Sequence, residues 1–308
     1  ADDMDRQHGL INQPGQVAIV TDSGGDLPEA EVERLGIHIV PVRLSFGADE
    51  YLDGVSLTAE GFYRLLDQSP VFPQTSQPPP QDFRRVYSLL GSHGYDVLNI
   101  GLSGALSGTT QAARTAAERT DDARVVVLDT LNASAGQGLL AIVAAEAAAQ
   151  GMAMDEIVSL VSDLVPRTRI FAMADDLSSG VRGGRVPGWV KRIADLLRIN
   201  PVLTATPKGT LGVGGVSLGR GAKPENLARL VLRRMEPDTV YRLMIAHARN
   251  PEGAQALRRA LLQGGRAVHS CLLAEAGPAL GAHLGAGGLI VAFLPQPDLL
   301  AGNRGAMR

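Results

Sequence analysis

Three short apolar runs, each followed by a loop of small polar residues and then by a helical pattern, most tightly constrain what this 308-residue chain can fold into. Val17-Ala-Ile-Val-Thr21 leads into Asp22-Ser-Gly-Gly and a helix from Pro28 to Leu35, with Gly36 at its stop. Proline suits a first helical position, where an N–H would lack a partner anyway, and glycine suits the left-handed cap. Asp96-Val-Leu-Asn-Ile-Gly101 leads through a Ser/Gly loop into a helix from Thr109 to Glu118. Arg124-Val-Val-Val-Leu-Asp129 leads into a long Ala-rich helix. Continuous apolar runs are strands buried on both faces, and strands joined by crossover helices lie parallel. The chain is therefore expected to be α/β, its first part a parallel sheet flanked by helices, with functional loops at the C-terminal strand edge.

Between these units, Ile37 to Phe46 reads as a second strand, Ala59 to Asp67 as a helix capped by Thr58, and Asp82 to Leu90 as a helix. The stretch from Pro70 to Pro80 carries five prolines around Thr75-Ser76-Gln77, which excludes helix and inner strand there. The second half reads differently. Met154 to Val165 is helical, Ile170 to Met173 a strand, and Trp189 to Arg198 an amphipathic helix. Pro201–Thr206 and Thr210–Leu218 are joined by Pro207-Lys-Gly, a hairpin signal and so an antiparallel element. Helices at 225–235 and 253–263 alternate with strands at 241–247 and 266–274. The expected division is a polar arm or linker at 1–15, an N-terminal α/β domain at 16–160, and a C-terminal α/β domain with a mixed sheet at 161–308.

A net charge of −3 removes the electrostatic case for nucleic acid, and the single Cys271 excludes an internal disulfide framework or a thiolate zinc cluster. No apolar run approaches the ~20 residues of a membrane span. The N-terminus, Ala1-Asp-Asp-Met, lacks the basic start and apolar middle of a signal peptide, so a cytoplasmic location is expected.

Four loops concentrate hydroxyls and glycine: Asp22-Ser23-Gly24, Thr75-Ser76-Gln77, Ser103 to Thr109, and Asp129 to Ser134. Ser107-Gly108-Thr109 stands at a helix start, where free N–H groups and the dipole favour an anion. No phosphate-loop motif is present, and the Gly212-Val-Gly-Gly run lies in the hairpin, so it is not a dinucleotide fingerprint. Gly101-Leu-Ser103-Gly-Ala105 misses a hydrolase elbow by its last residue, which leaves a Ser/His esterase using Ser103 or Ser107 with His283 as an alternative. The histidines show no paired metal-ligand spacing, and neither a metal nor a cofactor is expected. Arg182-Gly-Gly-Arg185 is a basic turn that reads either as a clamp for a phosphate or carboxylate or as a solvated surface turn. His283 lies in a glycine-dense segment after an apolar strand-like run, where an imidazole can donate to an acid, relay a proton or bind a metal.

The ordered series of these pieces resembles the DegV family. The pieces are Thr21-Asp22-Ser23 with Asp26-Leu27-Pro28, Asp53-Gly54 ahead of Phe62-Tyr63, Pro73-Gln-Thr75-Ser76-Gln77-Pro78, Leu106-Ser107-Gly108-Thr109, Gly183-Gly184-Arg185, and Gly277-Pro278 to Gly285 around His283. The resemblance implies two α/β domains with a long-chain fatty acid between them, a non-catalytic carrier with no catalytic residue of its own. It implies carboxylate binding by Thr75, Ser76, Ser107, Gly108 and Thr109 with His283 close by, the imidazolium adding a donor. Arg185 would face the head group or a fatty acid kinase subunit that phosphorylates the acid, with a transient membrane encounter for lipid exchange. Related folds also occur joined to dihydroxyacetone-kinase-like domains, so a domain of a longer kinase-related chain is a third reading. Departures from the family pattern are Ser103-Gly104 for a serine pair, Pro79 for serine, Asn200-Pro201 for Lys-Pro, and Ala286 within the glycine run.

Overall fold

The computed structural model describes residues 16–218 and 223–299, and the polar arm assigned to 1–15 lies outside them. The first part runs β1 (Val17–Asp22), α1 (Glu29–Leu35), β2 (His38–Val40), β3 (Arg43–Phe46), β4 (Asp49–Leu52), α2 (Ala59–Gln68), β5 (Gln74–Ser76), α3 (Pro80–Ser92), β6 (Asp96–Gly101), α4 (Thr109–Ala117) and β7 (Val125–Asp129). Four of these strands form the expected parallel sheet in the order β2-β1-β6-β7. Alternation sorts β1 between two cores. Ala18 and Val20 join Phe83, Tyr87 and Ala113 beneath α3 and α4, while Val17 and Ile19 face the opposite side with Leu98 and Ile100.

The run from Ile37 to Phe46 is two strands rather than one. Pro41 removes a ladder donor, and the chain leaves the parallel sheet there. β3 then pairs antiparallel with β4 on one side and β5 on the other. The proline-flanked Gln74–Ser76 is thus an edge strand, with Thr75 opposite Leu44, a position its neighbouring prolines allow. The first helix begins at Glu29, with Pro28 one residue ahead of it.

Two helices follow, α5 (Ser134–Ala149) and α6 (Met154–Leu164). The second part runs β8 (Arg169–Met173), α7 (Ser178–Arg182), α8 (Gly188–Leu197), β9 (Ile199–Ala205), β10 (Leu211–Leu218), α9 (Pro224–Leu232), β11 (Tyr241–His247), α10 (Pro251–Leu262), β12 (Val268–Glu275), α11 (Pro278–Leu284) and β13 (Leu289–Pro295). Its six-stranded sheet has the order β10-β9-β8-β13-β11-β12 and is mixed: β11 pairs parallel with β12, and the other neighbours pair antiparallel. The hairpin at Pro207-Lys-Gly is as expected. The central strand β13 is one that sequence reading missed. All of its seven residues are buried, and its apolar run directly follows a glycine cluster. α9 and α10 cover one face of this sheet through Leu227, Val231, Leu257 and Leu261.

α5 joins the two sheets. Thirteen of its 16 residues are buried, and it packs against β1 and β6 on one side and β8, β11 and β13 on the other. A helix apolar all round has no face to give to water, so it is stable only between two layers. Its small residues (Gly136, Gly138, Ala141, Ala144, Ala145) let both sheets approach closely. One core, from Ile19 and Leu98 through Leu140 to Ile290 and Ala292, runs across the molecule. No helix of the described residues is long and apolar enough to cross a membrane.

Candidate functional site

A cavity of about 370 Å³ opens between the loops at the C-terminal edge of the parallel sheet and the inner face of the mixed sheet. That is within the roughly 300–1,000 Å³ typical of small-molecule sites. Its walls differ sharply. Ile170, Leu203, Ala205, Leu211, Leu284 and Ile290 form an apolar wall, while Thr75, Ser76, Gln77, Ser107, Arg185 and His283 gather at a polar end. The hydroxyl loops gather at this strand edge as the parallel topology requires, although Thr75-Ser76 arrives from β5 rather than from a parallel strand.

At the polar end, His283 Nε2 and Thr75 Oγ1 are 2.9 Å apart. Ser107 Oγ lies 2.8 Å from Thr109 Oγ1 and accepts from the Thr109 N–H at 3.3 Å. Thr109 itself is fully buried behind Ser107 and does not line the cavity, so its part is to orient Ser107. Gly108 lines the wall, and a Cβ there would sit 1.8 Å from Gln77 Oε1. The glycine thus lets the Thr-Ser-Gln segment close against the start of α4. Ser76 and Gln77 are exposed at the rim.

Arg185 follows the short helix α7 and turns inward. Its Nη1 donates to the Gly183 carbonyl at 2.6 Å and its Nη2 to the Leu106 carbonyl at 3.3 Å, tying the α7 turn to the Ser107 loop. Arg182 instead points out, its guanidinium 5.4 Å from the Phe72 ring centroid, so the two arginines of this turn do not form a clamp. His283 is also not the imidazolium expected. Burial first, and the nearby Arg185 charge second, depress its pKa from 6.5 to about 4, so at neutral pH the ring is neutral. Its Nδ1 is buried with no hydrogen-bond partner among the described residues. The ring reaches this place because position 183 is glycine, where a Cβ would lie 2.1 Å from Nδ1.

The serines of the near-elbow are committed elsewhere. Ser103 is fully buried and donates to the Gly209 carbonyl at 2.8 Å, fastening the tip of the β9–β10 hairpin. Among the described hydrogen bonds, neither Ser103 nor Ser107 pairs with His283.

Sequence reasoning gave no role to a second polar cluster, Asp22, Asp26 and Asp53, all buried. Asp22 accepts from the N–H groups of Gly24 and Leu102, both at 3.0 Å. Asp26 Oδ2 accepts from Ser134 Oγ at 2.5 Å, and its Oδ1 accepts from the Gly277 N–H at 2.8 Å. Asp53 Oδ2 accepts from Ser23 Oγ at 2.8 Å and from the Ala279 N–H at 3.2 Å. Desolvation raises all three carboxyls, Asp26 to about 8 and Asp53 to about 6, with Asp53 and Asp22 adding repulsion at Asp26 and Asp22 adding it at Asp53. The available signal was three acids with no basic residue in their own segments, at Thr21-Asp22-Ser23, Asp26 and Asp53.

Comparison with known proteins agrees with this architecture. The family model described as "Uncharacterised protein, DegV family" matches residues 16–296. A DegV domain-containing protein of Listeria innocua is 31% identical over 277 residues, covering 89% of this chain and 96% of the relative. A structure described as showing fatty acid binding of a DegV family protein from Thermus thermophilus superposes with a TM-score of 0.83 at 29% identity, covering 91% of this chain and 100% of that one. A fatty acid binding DegV family protein from Streptococcus agalactiae superposes with a TM-score of 0.80 at 27% identity, covering 92% and 99%.

Proposed function

The chain belongs to the DegV family, and we propose that it binds a long-chain fatty acid in the cavity between its parallel and mixed sheets. The observation that carries this reading is a single cavity joining a cluster of hydroxyls and imidazole to an apolar wall, in a chain like the fatty-acid-binding relatives above. A carboxylate at the polar end would be held by Thr75 and Ser107, with donors from Ser76 and the Gly108 backbone, Thr109 orienting Ser107, and a neutral His283 beside it. Hydroxyl donors stabilise an anion without burying an opposite charge, and Arg185 supplies longer-range attraction. The acyl chain would lie along Ile170, Leu203, Leu211 and Ile290, each buried methylene contributing ~0.8 kcal/mol.

In this reading the protein is a carrier rather than an enzyme and uses no cofactor. It presents the carboxylate to a separate fatty acid kinase subunit at the rim formed by Ser76, Gln77 and Arg185. The units 16–160 and 161–308 act as two domains enclosing the ligand, in the cytoplasm. A transient membrane encounter for lipid exchange is supported by α8, whose Trp189, Ile193, Leu196 and Leu197 are exposed beside Arg192 and Arg198. Amphipathic helices with aromatic and basic residues favour lipid interfaces. The esterase reading loses ground, because Ser103 is locked onto the hairpin and His283 onto Thr75.

Denaturing mass spectrometry of the purified protein should find a co-purified long-chain fatty acid, and adding palmitate to delipidated protein should raise its Tm. A folded protein with neither property rejects the reading. Turnover of a p-nitrophenyl ester, abolished by a serine-directed fluorophosphonate, would favour the esterase instead.

A further inference from the structure

α11 carries His283 in its last turn, yet it is only seven residues long and its own N-cap, Gly277, makes no side-chain cap. So short a helix does not hold itself in place, because nucleation costs more than two turns return. Its leading N–H groups need acceptors, and the helix dipole favours negative charge at that end. Asp26 meets the first N–H, at Gly277, and Asp53 meets another two residues on, at Ala279. These aspartates come from the loop after β1 and the turn after β4, and each is braced by a serine, Ser134 for Asp26 and Ser23 for Asp53. Tyr63 on α2 adds a third tether, donating to the Ala276 carbonyl at 3.1 Å.

The arrangement is costly. Around Asp26 stand Asp53, Asp22, Tyr63 and Ser134, with Glu275 acting on the same Tyr63, and no cation is among the groups shifting either acid. Asp26 and Ser134 also both adopt left-handed backbone, at φ 46° and 49°. Strained backbone persists where the surroundings over-determine it, and such places cluster at functional sites. Ala279 and Ser134 also line the cavity, so the bracket touches the space a ligand would fill.

We infer that Asp26 and Asp53 are positioning residues that aim His283 at the head-group site by fixing the first turn of α11. From Gly277 to His283 the helix spans about 9 Å, so a tilt of about 10° moves the imidazole by roughly 1.5 Å, enough to break its contact with Thr75. The affinity consequence rests on the fatty-acid reading above; the placement of His283 does not.

The test pairs NMR of the His283 ring in ligand-free protein with palmitate affinity, measured by displacement of a fluorescent fatty acid. Asp26→Ala and Asp53→Ala should move the His283 ring signals and weaken palmitate binding about tenfold, the loss of one hydrogen bond's discrimination. Asp26→Asn and Asp53→Asn, which keep an acceptor oxygen, should restore both to within about threefold. On a His283→Ala background, Asp26→Ala should cost less than about twofold, because a residue acting through His283 has nothing left to aim. Unmoved ring signals, or full additivity on that background, overturns the proposal. Should the alanine variants fail to fold, Ser23→Ala removes the hydroxyl that braces Asp53, freeing the Val42 N–H as well, and must shift the same signals. If the parent chain binds no palmitate, the fatty-acid reading falls, while the ring signals still decide whether the aspartates place His283.

Discussion

Two polar clusters lie at opposite ends of one seven-residue helix, the aspartates buried and the head-group residues half-buried, and they use their hydrogen-bonding capacity in different ways. In the aspartate cluster, Asp22, Asp26 and Asp53 all accept from protein donors, backbone N–H groups or serine hydroxyls. At the head-group end, Thr75, Ser107 and His283 border a cavity, and His283 Nδ1 has no partner among the described residues. A cluster whose capacity is met within the protein is structural, whereas Thr75 and Ser107 set their hydroxyls along a cavity wall, where a ligand could meet them.

Four changes should break or sharpen that contrast. The largest effect is expected for Gly183→Val, whose branched side chain would start 2.1 Å from His283 Nδ1 and drive the ring out of the site. Palmitate affinity should fall by on the order of a hundredfold with the far-UV circular dichroism unchanged, since overpacking costs are local. Parent-like binding would mean that the ring is not part of the site.

Next, Thr75→Ala and Ser107→Ala should each weaken palmitate about tenfold, as expected for one hydrogen bond to a charged group, with Tm nearly unchanged. A fall in Tm with unchanged affinity would instead put these residues in the structural cluster.

A smaller effect on binding is expected for Arg185→Ala. It directs one N–H of each terminal nitrogen at the Gly183 and Leu106 carbonyls, so palmitate affinity should change by less than about threefold. Acyl-phosphate formation in the presence of a fatty acid kinase should fall much further. Equal losses in both assays would refute that division of labour.

The last contrast is a slope with pH in stability, with no change in binding. Burial raises Asp26 from 3.8 to about 8, so between those values the folded protein holds a proton that the unfolded chain has released. The stability contributed by this group is complete below about pH 4 and is lost as pH rises through about 8. Asp26→Asn cannot ionise, so its Tm relative to the parent chain should climb steadily across that window. His283, depressed from 6.5 to about 4, contributes in the opposite sense, and its stability is lost as pH falls across that range. A Tm difference that stays flat with pH would show that Asp26 titrates normally.

Much of this architecture was legible from local pattern. Val17–Thr21, Asp96–Gly101 and the buried α5 announce themselves through continuous apolar runs, and Pro207-Lys-Gly through turn chemistry. β13 escaped because an apolar run after glycines has no period to separate strand from helix, and its central place depends on β8 and β11. Thr75, Ser107, Arg185 and His283 were nameable, but Thr109 is buried and does not line the cavity, and the charge of His283 was misjudged because burial is not written in neighbouring residues.

By itself the sequence determined the α/β class, the parallel sheet of the first half, the hairpin and the family resemblance, because periodicity and turn residues act over a few positions, but not the antiparallel β4-β3-β5 sheet. Only the tertiary structure decided that Asp26 and Asp53 grip the helix carrying His283, across 251 and 226 residues of chain. Only it decided that Gly183 makes room for the imidazole, and that the ring stays neutral. Desolvation and steric approach depend on what packs nearby in space, and no local spacing encodes that.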